Sequence, residues 1–589
     1  MRVAVVVKQI PRFEEMRLDA DGRLSREGEL EMNPYCRRAV AKGVELARAS
    51  GGECVAFTLG PPRAEAVLRE AVAWGAHRGV LVTDPAFAGS DTLATALALS
   101  AALEREGQWD LVLAGRNAVD ADTGQVGPEI AQLLDRPFVA GVKKLGVHDH
   151  TITALCELDD GWMRIQASMP AVVSCAERLC EPCKAPPGQC AAVDADRIMT
   201  LSARDLGAGP WGQAASPTAV GRVQTLAVDR AGVQMSGPLA EQATAVVRTL
   251  VDRGAPLRAS AAVETPRLPA ARPVSGRAVG VILEPDRLRA SRELLGAAAE
   301  LAEAIGGHVV ALAFDTADPI ELCRAGADAL VYVAEAEIEE DAAAMVGAWV
   351  EEEQPWALLT AGTLWGREVA ARVAAHSRSG LTGDAVDLSI ENDRLVAWKP
   401  AFGGWLVAAV TSSSSVQMVT VRPGMLAVPE PRTAPDVSVA HRTASPRRRI
   451  RRLDGERDDE LDSLATATVV IGVGTGVSPD DYGSLAELCS VLHAELGATR
   501  KVTDNGWLPR SRQIGITGRS IRPELYVAIG ISGKFNHMVG VRGAGVIVAV
   551  NRDATAPIFD AADIGIVGDW HDVVPELTRA IKRARSTTA

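Results

Sequence analysis

The sequence predicts a multidomain α/β protein built from doubly wound parallel sheets, and three observations predict it. At 589 residues the chain is longer than one hydrophobic core sustains. Short Val- and Ile-rich runs alternate with Ala-rich helical segments, the beat of strands covered by helices. Two polar, Pro-containing stretches interrupt that beat, which divides the chain into three α/β units.

The elements follow in order. RVAVVV at 2–7 reads as the first strand, and the charged and apolar alternation of 39–49 as a helix. CVAFTLG at 54–60, GVLVTD at 79–84 and DLVLAG at 110–115 are further strands, separated by helices over 63–73 and 91–105. Ligands of such sheets sit beyond the carboxyl ends of the strands, which singles out the loop after Gly115. The beat resumes with AVGVILE, a helix over 289–304, HVVALAF, AGADALVYVA and WALLTAGTLWGREVAARVAAH. A polar stretch over 427–460 then separates a third unit, which starts at ATVVIGVGTG. WDLVLAGRNAVDADTGQVGPEIAQLL and WALLTAGTLWGREVAARVAAHSRSG echo each other as strand, Gly loop and helix, which either related domains in the two halves or convergent α/β patterning would explain.

Bulk properties narrow the function. A formal net charge of −13 argues against nucleic acid as the main partner. The basic run Arg447-Arg448-Arg449-Ile450-Arg451-Arg452, beside Asp454, Glu456, Asp458 and Asp459, reads as a solvated linker. MRVAVVVKQI is a first strand and not a signal peptide, and no apolar run approaches the roughly 18 residues of a membrane span; a cytoplasmic protein without membrane insertion is expected. Of nine cysteines, Cys36, Cys54, Cys156, Cys323 and Cys489 are scattered. Cys175, Cys180, Cys183 and Cys190 crowd into one stretch whose spacing leaves two alternatives, a metal or iron–sulfur centre and ordinary reduced thiols. No metal ligand set is assigned.

The most specific chemistry lies in the third unit. Gly472, Gly474 and Gly476 end a strand and precede a helix near Tyr482, a turn that lets backbone approach a pyrophosphate. LGATRKVTDNGWLPRSRQIGITG, LYVAIGISGKFNHMVG and VIVAVNRDATAPIFDAADIGIVGD follow, each an apolar run feeding a Gly loop with hydrogen-bonding side chains. Gly497-Ala498-Thr499-Arg500, Gln513-Ile514-Gly515-Ile516-Thr517-Gly518, Gly530-Ile531-Ser532-Gly533 with His537, and Asn551-Arg552-Asp553 with Ala556-Pro557-Ile558-Phe559 together resemble the FAD-binding domain of the alpha subunit of electron-transfer flavoproteins. AFGG at 401–404 and QMVTVRPG at 417–424 resemble the end of that subunit's first domain. VAVVVKQIP, MNPYCRRAV, LREAVAWGAHR, LVLAGRNAVDADTGQVG and MPAVVSCAERLCEP resemble the beta subunit, so the chain resembles both subunits fused, beta-like half first.

The resemblance implies two adenine-nucleotide-hydrolase-like domains and a C-terminal FAD-binding domain. The implied boundaries are 1–255 for the beta-like part, 256–275 for a linker, 276–440 for the alpha-like first domain, 441–460 for a second linker and 461–589 for the FAD domain. It implies that Arg500 lies over the flavin ring as a fixed cation, with Thr517 near its N5 and His537 near its N1/O2 edge. Gly474, Gly476, Thr499, Gln513, Gly515, Ile516, Gly530, Ser532, Gly533, Asn551 and Asp569 complete the implied cofactor contacts. Departures from the family pattern are Thr475 where an Arg is usual, Ile516 for Gln, Thr499 for Ser, and Lys534 for a small residue.

For the first half the resemblance implies a second nucleotide, AMP or alternatively a second FAD, held by Val7, Asn33, Asp120, Asp122, Thr123, Gln125, Val126 and Gly127. Asp120-Ala121-Asp122-Thr123-Gly124-Gln125-Val126-Gly127 departs from the usual AMP loop, and Cys180-Glu181-Pro182-Cys183 replaces an Asn-Glu-Pro-Arg element. A partner-contact loop is implied near Leu201. The implied function is an electron carrier, not a substrate-converting enzyme, that takes electrons from a flavin-dependent dehydrogenase, such as the acyl-CoA dehydrogenases of fatty acid β-oxidation. It passes them to a quinone-linked oxidoreductase or similar acceptor. The alternatives are a two-FAD bifurcating protein oxidising NADH, and a non-redox nucleotide-binding regulatory or structural protein.

Overall fold

In a computed structural model the chain is described over residues 1–12, 28–159, 161–225, 230–255, 266–314, 317–401, 406–433, 437–457, 461–515, 518–519 and 521–587. It divides into two compact units, residues 1–224, 266–402 and 406–456 in one, and residues 225–265, 403–405 and 457–589 in the other.

The first unit contains the predicted duplication. Its first sheet carries, in chain order, parallel strands Arg2–Val6, Glu53–Leu59, Arg78–Val82, Leu111–Gly115, Phe138–His148, Ala171–Cys175 and Ile198–Leu201. Its second carries Ala278–Ile282, His308–Ala313, Ala329–Ala334, Ala357–Ala361, Leu381–Ala385, Gln417–Val421 and Ser438–Thr443. Numbered within each half, both sheets run 7-3-2-1-4-6-5. The match reaches single residues. Gly141 and Asp384 occupy equivalent bulges at φ +60° and +63°, and their amides donate to Ser174 (2.9 Å) and Thr420 (2.8 Å) on the equivalent neighbouring strands.

The halves also exchange edge strands. Thr218–Thr225, from the first half, pairs with Leu406–Ser412 of the second in a four-stranded sheet. Ile450–Arg457, from the second half, extends the first half's ten-stranded sheet beside Gly161–Ser168. An unpaired edge strand exposes a row of hydrogen-bonding groups, and each half covers an edge of the other. This corrects the expected linker over 441–460. Arg447 pairs with Asp135, Arg449 reaches the Asp135 carbonyl (2.7 Å) and Glu340 (2.9 Å), and Arg451 reaches Gln166 (2.9 Å). The basic run is therefore seated on acidic partners and not simply solvated.

Of the other expected linker, residues 256–265 lie outside the described set. Its remainder lies against the second half, where the Arg272 amide donates to Asp328 (3.0 Å) and its guanidinium to the Gly307 carbonyl (2.7 Å).

The second unit is built on a six-stranded parallel sheet in the order Val233–Met235, Ile564–Val567, Val546–Asn551, Leu525–Ile529, Val469–Val473 and Glu495–Ala498. One face packs Val469, Ile471, Val473, Val527 and Val548 against helices Leu239–Asp252, Ala486–Leu492 and Trp570–Thr587. The other face packs Val470, Tyr526, Ala528 and Ala549 beneath the segments carrying Ile514, Val541 and Ile558. Strand 233–235 and helix 239–252 fall inside the expected 1–255 domain, yet they complete this unit. Asp563, whose side chain is fully buried, fastens them: it pairs with Arg230 (2.5 Å) and Arg253, and accepts from the Ile547 amide (2.7 Å).

Candidate functional site

In the second unit the glycines at the strand ends set the geometry. A Cβ on Gly474 would sit 2.1 Å from the Gly530 carbonyl oxygen, and one on Gly476 3.0 Å from the Gly530 Cα. The turns following Val469–Val473 and Leu525–Ile529 thus meet backbone to backbone at the carboxyl edge of the sheet, where α/β ligands bind. Gly530 (φ +63°) and Gly533 (φ +77°) adopt left-handed backbone, and a Cβ on Gly533 would lie 2.1 Å from the Ile558 amide nitrogen. Thr499 follows the neighbouring strand, with its amide on the Val473 carbonyl (3.0 Å). Arg500 begins the next short helix, pairs with Asp504 (3.1 Å), and keeps 42% of its side chain exposed. Ser532 is exposed in the same edge region, and Asn551 donates to the Ile531 carbonyl (2.9 Å). Asp569 caps the final helix, bonding the His571 amide (3.0 Å) and ring (2.7 Å); the paired carboxylate holds the His571 imidazole above its usual range.

Gln513 and His537 are buried. Gln513 is fully buried and accepts from the Thr503 hydroxyl (2.7 Å). His537 is 6% exposed; its Nδ1 lies 3.1 Å from the Ile514 carbonyl and its Nε2 2.8 Å from the Tyr526 hydroxyl. Burial pulls its pKa down to about 4, so the ring is neutral at pH 7. Gly515 (φ +133°) brings its loop against the Asn536 carbonyl, which a Cβ would meet at 2.4 Å. Ile516 and Thr517 lie outside the described residues, as do residues 402–404 of the AFGG motif. A glycine-walled edge with a neighbouring guanidinium and hydroxyls fits an extended dinucleotide: the bare backbone can approach phosphates, and the cation can face an electron-accepting ring.

In the first unit, the connection after Leu111–Gly115 runs 116–125 before helix Val126–Leu133, whereas its counterpart in the second half is only Gly362 and Thr363. The first half alone has the extra loop. It is pinned from the first strand's side: Lys8 donates to both carboxylate oxygens of Asp120 (2.7 and 2.8 Å), and Asn33 donates to the Asn117 carbonyl (2.8 Å) and accepts from the Val119 amide (3.2 Å). Asp122 sits at φ +48°, a conformation Asp tolerates, and accepts from Asn117. Val7 follows the first strand with its amide on the Phe57 carbonyl (2.8 Å), and a Cβ on Gly127 would crowd the Phe138 ring at 3.0 Å. Gln125 is 1% exposed and turned to the second half, donating to the Leu381 carbonyl (3.3 Å) while accepting from Thr92 (2.7 Å). Thr123 lies beside Gly383, whose added Cβ would be 3.6 Å from the Thr123 Cα.

Charged side chains of the second half face this loop. Asp384 is buried against Arg422 (3.1 Å) and Arg367 (3.2 Å); burial alone would raise its carboxyl, but the two guanidinium groups hold it at about 2. Lys399 donates to the Gly383 carbonyl (2.9 Å), and burial lowers its pKa against the pull of Asp384 and Asp122. Arg116, Asn117, Gly124, Arg367 and Glu368 line a cavity of about 20 Å³, room for a water molecule between the halves.

Two expectations are corrected here. Leu201 is 3% exposed and packed in the first half's core, so its side chain is no surface contact. Gln125 is committed to joining the halves. The cysteine stretch forms no metal set: among the described residues no three His, Cys, Asp or Glu side chains are grouped to hold an ion. Burial raises the Cys175, Cys180, Cys183 and Cys190 thiols. Sequence reading missed Lys8, Tyr526, Arg367, Lys399 and Arg422. Lys8 directly follows a first strand, a place that marked it; the others are brought into play only by strand pairing across the fold.

The fold defines a duplicated α/β protein with an added parallel-sheet domain. The electron transfer flavoprotein domain model matches residues 21–206 and again 284–446, and the electron transfer flavoprotein FAD-binding domain model matches 463–542. The chain belongs to the electron transfer flavoprotein family. Similar proteins include Protein FixB of Azorhizobium caulinodans, 40% identical over 237 residues, 39% of this chain and 64% of that protein. The electron transfer flavoprotein subunit alpha of Clostridium acetobutylicum is 35% identical over 317 residues, 51% of this chain and 94% of that protein. The corresponding subunit of Thermoanaerobacterium thermosaccharolyticum is 35% identical over 309 residues, 50% and 93%. The chain thus spans 64% of the FixB relative and nearly all of the alpha subunits. Among the described residues no helix is long and apolar enough to cross a membrane.

Proposed function

We propose that the chain is a single-polypeptide electron carrier holding FAD at the carboxyl edge of the second unit's sheet. The glycine cradle of Gly474, Gly476, Gly530 and Gly533, inside a region matching a FAD-binding domain, carries this reading. Bound FAD would supply the capacity to take up an electron pair and release it in single steps. The chain's own residues then bind and tune: Gly474 and Gly476 admit the pyrophosphate, and Ser532, Asn551 and Asp569 offer polar contacts along the ribityl and adenosine portions. Arg500 places a permanent positive charge where negative charge develops on reduction, and Thr517 offers a hydroxyl near N5.

Electrons would arrive from a flavin-dependent dehydrogenase, such as one acting on acyl-CoA, and leave to a quinone-linked oxidoreductase or similar acceptor. The 116–127 loop is the proposed seat of a second nucleotide, AMP or a second FAD, contacted from Val7, Asn33, Asp120, Asp122, Thr123, Val126 and Gly127. The loop's presence in the first half and its absence from the equivalent second-half turn support this assignment.

The test is to denature purified protein and quantify the flavin and nucleotide released per chain. One FAD with one AMP supports the carrier, and reduction by an acyl-CoA dehydrogenase with its substrate then checks the donor. Two FAD with reduction by NADH replaces it with the bifurcating reading. No flavin after reconstitution with excess FAD overturns the redox reading.

A further inference from the structure

Helix Val126–Leu133, which follows the long first-half loop, carries a single ionisable side chain, Glu129, and buries it completely. Its Oε2 has no hydrogen-bond partner among the described residues. Its Oε1 lies 3.1 Å from the Thr92 hydroxyl, and the same hydroxyl lies 2.7 Å from Gln125 Oε1. Gln125 Nε2 in turn lies 3.3 Å from the Leu381 carbonyl oxygen of the second half.

The donors and acceptors fix where each proton sits. A carbonyl oxygen only accepts, so the Gln125 amide nitrogen faces Leu381 and Gln125 Oε1 faces Thr92. An amide oxygen also only accepts, so the one Thr92 proton goes to Gln125. Thr92 is left with lone pairs toward Glu129, and the carboxyl meets them as a donor only when it is protonated.

The surroundings favour the same state. Asp91, which caps helix Thr92–Arg105 on the Ala94 amide (3.0 Å) and also holds the Thr218 hydroxyl (2.7 Å), is the one neighbouring charge that bears on Glu129. Glu104 and Arg105 close that helix at its other end. Helix Leu364–Ser377 packs on helix 126–133, but its Arg367 pairs with Asp384, its Arg372 with Glu368 and its His376 with Glu351. The strands that touch helix 126–133 bring Lys143, Lys144, His148 and the Cys175 thiol. No cation among the described residues pairs with Glu129. The first turn of a helix favours an anion, but only weakly against full burial. Burial and Asp91 together hold the Glu129 carboxyl well above its usual range.

We propose that protonated Glu129 is a positioning residue of the second-nucleotide loop: through Thr92 it turns the Gln125 side chain onto the Leu381 carbonyl, which fixes the end of the 116–125 loop against the second half. An ionised Glu129 would give Thr92 two acceptors for one proton and loosen the tie to Gln125. The consequence for a nucleotide rests on the reading of this loop as a nucleotide seat, whereas the relay is a property of the chain itself.

Three variants of the full chain test the relay. Glu129→Gln keeps a donor toward Thr92 that no pH removes, Thr92→Val removes the hydroxyl, and Thr92→Ser keeps it. The infrared difference between wild type and Glu129→Gln at pH 7 should contain the C=O band of a protonated carboxyl. The folded carboxyl keeps a proton that the unfolded one releases above about pH 4.3, so wild-type stability falls as pH rises from there. Glu129→Gln should therefore unfold with the wild type near pH 4 and at a higher temperature than it at pH 7. Amide hydrogen exchange over 116–125 at pH 7 should be about tenfold faster in Thr92→Val and near wild type in the other two variants. AMP or FAD, whichever the released-nucleotide assay finds in the first half, should bind about tenfold more weakly to Thr92→Val.

An absent carboxyl band, or a Glu129→Gln protein less stable than wild type at pH 7, would show an ionised Glu129 and overturn the proposal. So would wild-type exchange over 116–125 in Thr92→Val, or faster exchange with unchanged nucleotide affinity. Should Thr92→Val fail to fold, the band and the pH dependence of Glu129→Gln still decide the relay. A wild-type chain that binds no second nucleotide sinks the reading of the loop alone, because band and exchange need no ligand.

Discussion

Gly472 shows how one missing side chain arranges three others. Its strand crosses the Tyr526 ring so closely that an added methyl group would overlap the hydroxyl, and displacing that hydroxyl would unseat His537 and the Ile514 carbonyl together. Gly472→Ala is expected to cost about 3 kcal/mol of second-unit stability, since tightly packed sheet neighbours cannot yield. Thermal unfolding followed with an FAD-affinity measurement checks it; unchanged values would mean that the ring moves aside freely. Asp384 makes a contrasting case, a buried carboxylate kept ionised by two guanidinium groups. Its folded pKa of about 2 lies below the unfolded value, so its contribution is complete above about pH 4 and fades as pH falls toward 2. That contribution is about 2 kcal/mol. Asp384→Asn should remove it and leave Arg367, Arg422 and Lys399 without their shared anion. Acid unfolding curves of the variant should be less steep between pH 4 and 2 and should start from a less stable protein.

At the scale of elements, the informative pieces are those that leave their own half. Strand Val233–Met235 and helix Leu239–Asp252 supply an edge and a cover to the second unit, and Val246, Val247 and Leu250 join its core. Their anchor is electrostatic as well as apolar, because Asp563 is buried with Arg230 and Arg253 both directed at it. Removing one side of a buried ion pair leaves uncompensated charge and costs about 3–5 kcal/mol. Asp563→Ala is expected to expose the 230–255 segment to limited proteolysis before the rest of the second unit is cut. Cleavage at the wild-type rate would show that the apolar contacts hold the segment unaided.

At the scale of the molecule, the two halves of the first unit share one architecture and each lends the other an edge strand. Gln125 on the Leu381 carbonyl, Asp159 on the Leu364 amide (2.6 Å) and Arg449 on the Asp135 carbonyl (2.7 Å) tie them further. Separate subunits would have to find these contacts by collision, whereas one chain holds them at high effective concentration. A protease site inserted within 256–265 and cut after folding should yield fragments that still co-elute in size-exclusion chromatography. Fragments that separate at micromolar concentration would show that the covalent link, and not the exchanged strands, holds the halves together.

Much of this architecture was legible in the sequence. The Val- and Ile-rich runs set the parallel strands, the echo of WDLVLAG and WALLTAG was consistent with the duplication, and the spaced glycines after Val473 and Ile529 marked where backbone meets backbone at the edge of the last sheet. These signals are local, written in hydrophobic period and in backbone conformations that favour glycine. The seating of the 447–452 arginines, the loan of residues 233–252 to the second unit, the burial of Leu201 and the pairing of Tyr526 with His537 were decided by tertiary structure. Each depends on residues far apart in the chain, where composition reports charge or polarity but not the partner. A basic run beside acidic residues looks the same whether it is solvated or docked, and a tyrosine in a strand looks the same whether its hydroxyl has a partner. Only strand order and register bring Tyr526 over Gly472 and Asp563 between Arg230 and Arg253.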